Sequence, residues 1–210
     1  MRAPKLEVSG GALLAAAIFL YLDKDGIVLW LFLACALHEL GHCLAIRALG
    51  GKIRKMRITC GGAELCLAAS WQPSAKSLAV AALAGPGVNL LLGMGSALLA
   101  RKGLGTRLYF VGALNFGLAI FNLLPARWLD GGKALESLLL VLGKSNWEAE
   151  RFLKICSFAV TAFLLIMGGF LSWQSAGRNF TLLIAGFWMM GTAVTGSGKK
   201  RGKNEISTCF

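Results

Sequence analysis

Long apolar runs, punctuated by short polar segments, organise this chain. The runs cover residues 8–22, 27–49, 77–100, 106–124, 152–171 and 180–194, and most approach the length an α-helix needs to cross a bilayer. The first is short, so its span is placed at 6–22. Asp23-Lys24-Asp25-Gly26, the segment 101–105 and the segment 143–150 read as turns and links between runs. Residues 134–142 add a short helix. The pattern predicts an all-α polytopic membrane protein of about six transmembrane helices. Residues 1–195 form one transmembrane domain and 196–210 a basic cytoplasmic tail.

One stretch breaks the rule. From 52 to 70, apolar and basic residues alternate: Ile53, Lys55, Arg57 and Thr59 run beside Arg54, Met56 and Ile58, and Glu64 sits among Ala63, Leu65 and Leu67. Period-two alternation on either side of Gly61-Gly62 suggests a small membrane-surface β-hairpin at 53–69 between spans two and three, to which an extended peptide could add as a strand. An irregular surface loop fits the same residues equally well. Within span three, Gly85-Pro86-Gly87 implies a local break in the helix.

Composition agrees with the membrane reading: 56% of residues are hydrophobic and 15% charged. The net charge of +12 raises nucleic-acid binding, but basic residues between apolar spans normally set topology, so no nucleic-acid partner is expected. The N-terminal Met1-Arg2-Ala3-Pro4-Lys5 and the run after it resemble a signal peptide without a cleavage site, and read as an uncleaved first span. Cys35, Cys43 and Cys156 fall in apolar runs, where cysteine packs as a small hydrophobe. Cys60 and Cys66 lack zinc-knuckle spacing and fall on the expected cytoplasmic side. No disulfide is expected among the six cysteines, Cys209 included.

Chemistry enters at His38-Glu39-Leu40-Gly41-His42, inside the second run. Positions i and i+4 of a helix share a face, so His38 and His42 can direct two imidazoles at one metal ion, with Glu39 placed to take a proton from an attacking water. These are both histidines of the chain. Buried in apolar sequence, such a set is costly unless it functions. At about 1.5 Å rise per residue, His42 lies roughly 10 Å from the Gly50-Gly51 end of its helix, inside the membrane but nearer one surface. A catalytic zinc takes three protein ligands and leaves one position open. Asp130 combines the expected side of the membrane, a similar depth and an irregular backbone around Pro125 and Gly131-Gly132, so it is the expected third ligand. A helix N-cap is its plainer role. Cys35, one turn before His38, is read as packing.

These motifs resemble the site-2 protease family of intramembrane zinc metalloproteases. The matching elements are His38-Glu39-Leu40-Gly41-His42, Gly85-Pro86-Gly87-Val88-Asn89 and Asn122-Leu123-Leu124-Pro125 through Leu129-Asp130-Gly131-Gly132, in the family's order across residues 8–142. The resemblance implies one Zn2+ per chain held by His38, His42 and Asp130, with Glu39 as general base, and Asn122 and Asn89 holding or polarising the substrate. It implies a membrane-spanning or membrane-tethered protein substrate, such as a sigma or anti-sigma factor type precursor. The compact bacterial type, including the sporulation sigma-factor-processing proteases, is the nearest pattern, which places the chain in a bacterial cell membrane. Arg127-Trp128 departs from the apolar or proline residues often found there. With no further regulatory module among the spans, a separate regulatory membrane protein is the expected control.

Two other readings compete. A catalytically idle membrane scaffold has no need for this polar set, and a metal transporter would carry further polar residues along a path or an internal repeat. With the N-terminus in the cytoplasm, all but five of the 22 lysines and arginines (Lys24, Arg101, Lys102, Arg107 and Arg178) fall on the inner side, so both termini are expected there. Reporter fusions at residues 24 and 103 should behave as external, and fusions at 55 and 144 as cytoplasmic; the reverse pattern would overturn this topology.

Overall fold

The computed structural model describes residues 5–59, 62–68, 70–175 and 180–196, with side chains through 191. Expectations for the Gly61 turn, Cys60, Cys209 and the tail beyond 196 lie outside the described residues. The chain divides into two compact units, one running through Leu123 and the other beginning at Leu124; each is taken in turn.

The first unit contains β1 (Lys5–Val8), α1 (Gly10–Leu22), α2 (Ile27–Ala48), β2 (Ile53–Thr59), β3 (Gly62–Leu67), α3 (Ala75–Arg101) and α4 (Arg107–Asn122). Helix starts follow local chemistry. The Ser9 hydroxyl accepts from the Ala12 amide at 3.2 Å, and the Asp23 carboxylate accepts from Ile27 and Val28 at 3.0 and 2.8 Å after the left-handed turn at Gly26. Ser74 caps α3 at the Ser77 amide, 3.1 Å away. The break expected at Gly85-Pro86-Gly87 is absent: α3 runs through Pro86 without interruption. One missing N–H in a long helix is tolerated where neighbouring helices cover the freed carbonyl, and Pro86 is fully buried.

The hairpin reading of 53–69 corresponds to β2 and β3, which pair antiparallel with Met56 opposite Leu65 and Arg57 opposite Glu64. The structure adds a third strand. Lys5–Val8, expected to begin span one, is β1 and pairs parallel with β2, Lys5 opposite Lys55 and Glu7 opposite Arg57. Parallel pairing across a whole helical hairpin leaves no local trace in sequence. Alternation then sorts the faces: Leu65 and Leu67 bury against Ile46 and Ala81, flanked by Cys43, Ile53, Met56 and Trp71. Cys66, on the opposite face of β3, is disulfide-bonded, which corrects the expectation of no disulfide. Spacing alone could not reveal it. Cys35, Cys43 and Cys156 are free.

The second unit contains α5 (Asp130–Val141), α6 (Asn146–Gln174) and α7 (Thr181–Gly196). Helix α5 starts four residues earlier than the 134–142 segment read from sequence. A capping box, Ser145 with Glu148, starts α6 in its polar first turn, so the helix is longer than its apolar 152–171 segment. Helices α6 and α7 approach closely where a Cβ on Gly168 would meet Leu183 and one on Gly186 would meet Leu165.

Among the described residues, three helices, α2, α3 and α6, are long and apolar enough to cross a membrane. Helices α1, α4 and α7 have 13, 16 and 16 residues. Large apolar side chains face outward on the long helices, among them Leu33, Leu91, Phe158 and Ile166. Such surfaces suit lipid and would be a liability in water.

On the exposed face of the sheet, Lys55 pairs with Glu7 at 2.6 Å and holds the Glu7 carboxyl below its ordinary value of 4.5. A depressed carboxyl contributes stability above its unfolded pKa and loses it as pH falls through the folded one. Amide-exchange protection of β1 should therefore be constant from neutral pH to about 5 and decline as pH drops below 4.5, with Glu7→Gln flattening that decline.

Candidate metal centre

Helix α2 brings His38 and His42 together, as their spacing requires. Both are buried, with Nε2 atoms 3.1 Å apart and rings edge-on at 81°. Helix α3 supplies an oxygen to the far side of each ring. His42 Nδ1 donates to the Ala81 carbonyl at 2.7 Å, and His38 Nδ1 donates to Asn89 Oδ1, also at 2.7 Å. A neutral imidazole that donates from Nδ1 presents a lone pair at Nε2. Two such lone pairs 3.1 Å apart repel unless a cation lies on them. Tetrahedral zinc with Zn–N near 2.05 Å would set two nitrogens about 3.3 Å apart, so the pair fits that ion. Backing each ligating histidine with an oxygen acceptor is the arrangement metal sites use to fix the tautomer.

Gly85 is part of the same construction. A Cβ there would lie 2.6 Å from His42 Cε1 and 2.8 Å from His38 Nε2, so only glycine leaves this space open. Ala81, Gly85 and Asn89 are spaced i, i+4 and i+8 on one face of α3, so a single stripe serves both rings. Gly41 permits the approach: a Cβ on it would meet the Ala84 carbonyl oxygen at 2.9 Å. Glu39 is half-buried on α2 beside His38.

Asn122, at the end of α4, is half-buried and donates to the Leu118 carbonyl at 3.0 Å. Asn89 has both amide ends committed within the protein, one to His38 and one to Asn115.

In the second unit, Asp130 is buried and is the first residue of α5. It does not act as the helix's N-cap; that position is Leu129, which makes no side-chain capping bond. The helix N-terminus favours an ionised carboxylate there, and Lys133 Nζ lies 3.1 Å from Asp130 Oδ1. The preceding loop is pinned from α6: the Arg127 amide donates to Ser157 Oγ at 2.9 Å and its guanidinium pairs with Glu150 at 3.1 Å. Gly132 lets this loop fold back, since a Cβ there would lie 3.0 Å from Arg127 N and closer still to Ala126. The unusual Arg127 is thus a structural anchor.

Sequence reasoning passed over Asn115, Ala81, Lys133, Ser157 and Glu150. Asn115 had a readable signal, a lone amide in an apolar run two turns before Asn122. The Ala81 contact is made by a backbone carbonyl and has no sequence signature.

Comparison with known proteins bears on this geometry. Residues 93–167 match the family model of peptidase family M50. The fold matches the site-2 protease from Methanocaldococcus jannaschii with TM-score 0.66 and 21% identity, covering 96% of this chain and 94% of that one. The chain therefore shares the fold of that protease. It is also 32% identical over 129 residues to a Synechocystis sp. protein named "Putative zinc metalloprotease sll0528", covering 56% of this chain. The chain spans about a third of that relative's length (32%).

The Gly85 cradle yields a test. Overpacking of this kind costs about 1–3 kcal/mol, so Gly85→Ala should weaken zinc affinity about ten- to hundredfold in a chelator competition. Gly87→Ala, where an added Cβ meets nothing within 4 Å, should leave affinity unchanged.

Proposed function

We propose that this chain is an intramembrane zinc metalloprotease, a metalloendopeptidase in which His38, His42 and Asp130 hold one Zn2+ and Glu39 is the general base. The observation that carries the reading is the histidine pair: two Nε2 lone pairs facing each other across 3.1 Å, each enforced by an oxygen at Nδ1. The buried Asp130 carboxylate is proposed as the third donor, because two histidines and one carboxylate are a set that suits zinc. The match of residues 93–167 to peptidase family M50, the fold shared with a site-2 protease and the zinc metalloprotease name of the Synechocystis relative support the same choice.

When bound, zinc supplies an electrophile that polarises a carbonyl and renders water nucleophilic near neutral pH. Glu39 accepts the proton of the attacking water as its oxygen adds to the scissile carbonyl carbon. It then returns that proton to the amide nitrogen as the C–N bond breaks, leaving a carboxyl and an amine. His38 and His42 act as neutral donors, and Asp130 adds the negative charge. Asn122 is proposed to hold the substrate backbone. Asn89, with both amide ends committed, is proposed to serve the substrate indirectly by holding His38 in place.

The substrate is proposed to be a membrane-spanning or membrane-tethered protein, such as a sigma or anti-sigma factor type precursor, reached in a bacterial cell membrane by a six-span chain with cytoplasmic termini. A helical substrate has its carbonyls bonded internally and must unwind before attack. Strand β2 is paired on both sides, so among the described strands the outer edges of β1 and β3 are where an extended peptide would add.

Co-expression with membrane-tethered candidate substrates tests the reading. Glu39→Gln should keep stoichiometric zinc and lower cleavage by about a hundredfold or more, while Asp130→Ala should lose zinc. Undiminished cleavage by Glu39→Gln, or full zinc retention by Asp130→Ala, would overturn the assignment.

A further inference from the structure

We propose that Asn115, on α4, is a positioning residue that sets the tautomer of His38 through Asn89. The proposal rests on the reading of His38 as a metal ligand. Its basis is a run of three hydrogen bonds crossing from α4 through α3 to α2, whose direction is dictated from one end.

The Val111 carbonyl can only accept, so the end of the Asn115 amide that meets it at 2.9 Å is the NH2 group. Asn115 therefore turns Oδ1 toward Asn89, whose NH2 donates to it at 2.9 Å. That leaves Asn89 Oδ1 for His38, and the ring must carry its proton on Nδ1 to donate across 2.7 Å. Each amide has one orientation compatible with its neighbours, and the last consequence of the sequence is a lone pair at His38 Nε2. His38, Asn89 and Asn115 are 5%, 0% and 3% exposed, so bulk water is not at hand to replace a lost partner.

His42 needs no such relay, because the Ala81 carbonyl fixes its tautomer directly. The two histidines are therefore held by different means, one by a backbone oxygen that cannot turn over and one by an amide that can. Without Asn115, the Asn89 amide is free to rotate and present NH2 to the ring. His38 would then accept at Nδ1 and carry its proton on Nε2, where a metal must bind. Neither Asn115 nor this dependence follows from the His38-Glu39-Leu40-Gly41-His42 motif.

The test follows the tautomer and the metal separately in the full chain. Because the chain has two histidines, histidine-selective nitrogen NMR reports on both rings without crowding. In metal-free wild type both rings should be protonated at Nδ1. Asn115→Leu should move one ring to the Nε2-protonated form and lower zinc affinity about 10- to 100-fold. In an Asn89→Asp background, where an oxygen faces His38 whichever way the carboxylate turns, adding Asn115→Leu should change neither readout. Asn115→Ala removes the same oxygen without bulk and replaces the leucine variant if that one does not fold. Unchanged tautomers in Asn115→Leu and Asn115→Ala with Asn89 intact, or an equal loss of zinc affinity in both backgrounds, would overturn the proposal, because a purely structural asparagine would act alike in each. Absence of zinc uptake by the wild type would instead overturn the metal reading, while the tautomer comparison would still decide the relay.

Discussion

Two imidazoles in an apolar interior persist only if each ring N–H has an acceptor, and α3 provides both acceptors. That constraint sets much of the first unit. For the Ala81 carbonyl and the Asn89 amide to reach His42 and His38, α3 must run antiparallel to α2 in a single register, with residue 81 beside 42 and residue 89 beside 38. It must also lie close. Gly41 and Gly85 are the positions where a side chain would prevent the approach. In a bilayer the hydrophobic effect does little to join helices, so small residues and buried hydrogen bonds carry the association. Here the two requirements fall on the same stripe.

The same logic extends outward. A Cβ on Gly93 of α3 would meet the Phe116 ring of α4 at 3.1 Å, and one on Gly112 would meet the Gly93 carbonyl at 3.2 Å, so these glycines let α4 come near enough for Asn115 to reach Asn89. At the other end of α3, Ala81 faces His42 through its carbonyl and joins the cluster of Ile46, Leu65 and Leu67 beneath the sheet. The sheet and the histidine pair thus share a helix face, and a shift of α3 would disturb both.

In the second unit the constraint is a carboxylate buried at a helix start. The α5 N-terminus and Lys133 supply positive potential, and the chain before Asp130 is tied to α6 through Arg127 by a backbone bond to Ser157 and an ion pair to Glu150. A loop at membrane depth is tolerated when protein satisfies its polar groups. Arg127 does this for its own backbone amide and, through Glu150, tethers its side chain as well.

Much was already legible in the residues. Apolar run length gave the helices, period-two alternation gave β2 and β3, and i, i+4 spacing put His38 and His42 on one face, because each signal is local and repeats with the geometry of its element. Other features depend on residues distant in sequence. The parallel pairing of β1, the continuity of α3 through Pro86 and the disulfide at Cys66 depend on neighbours that no local pattern names. The tautomers of the histidines are the sharpest case. Composition and spacing determined that two imidazoles would share a face, but which nitrogen of each would carry the proton was decided only by packing, through a backbone carbonyl of α3 for one ring and an amide chain ending on α4 for the other.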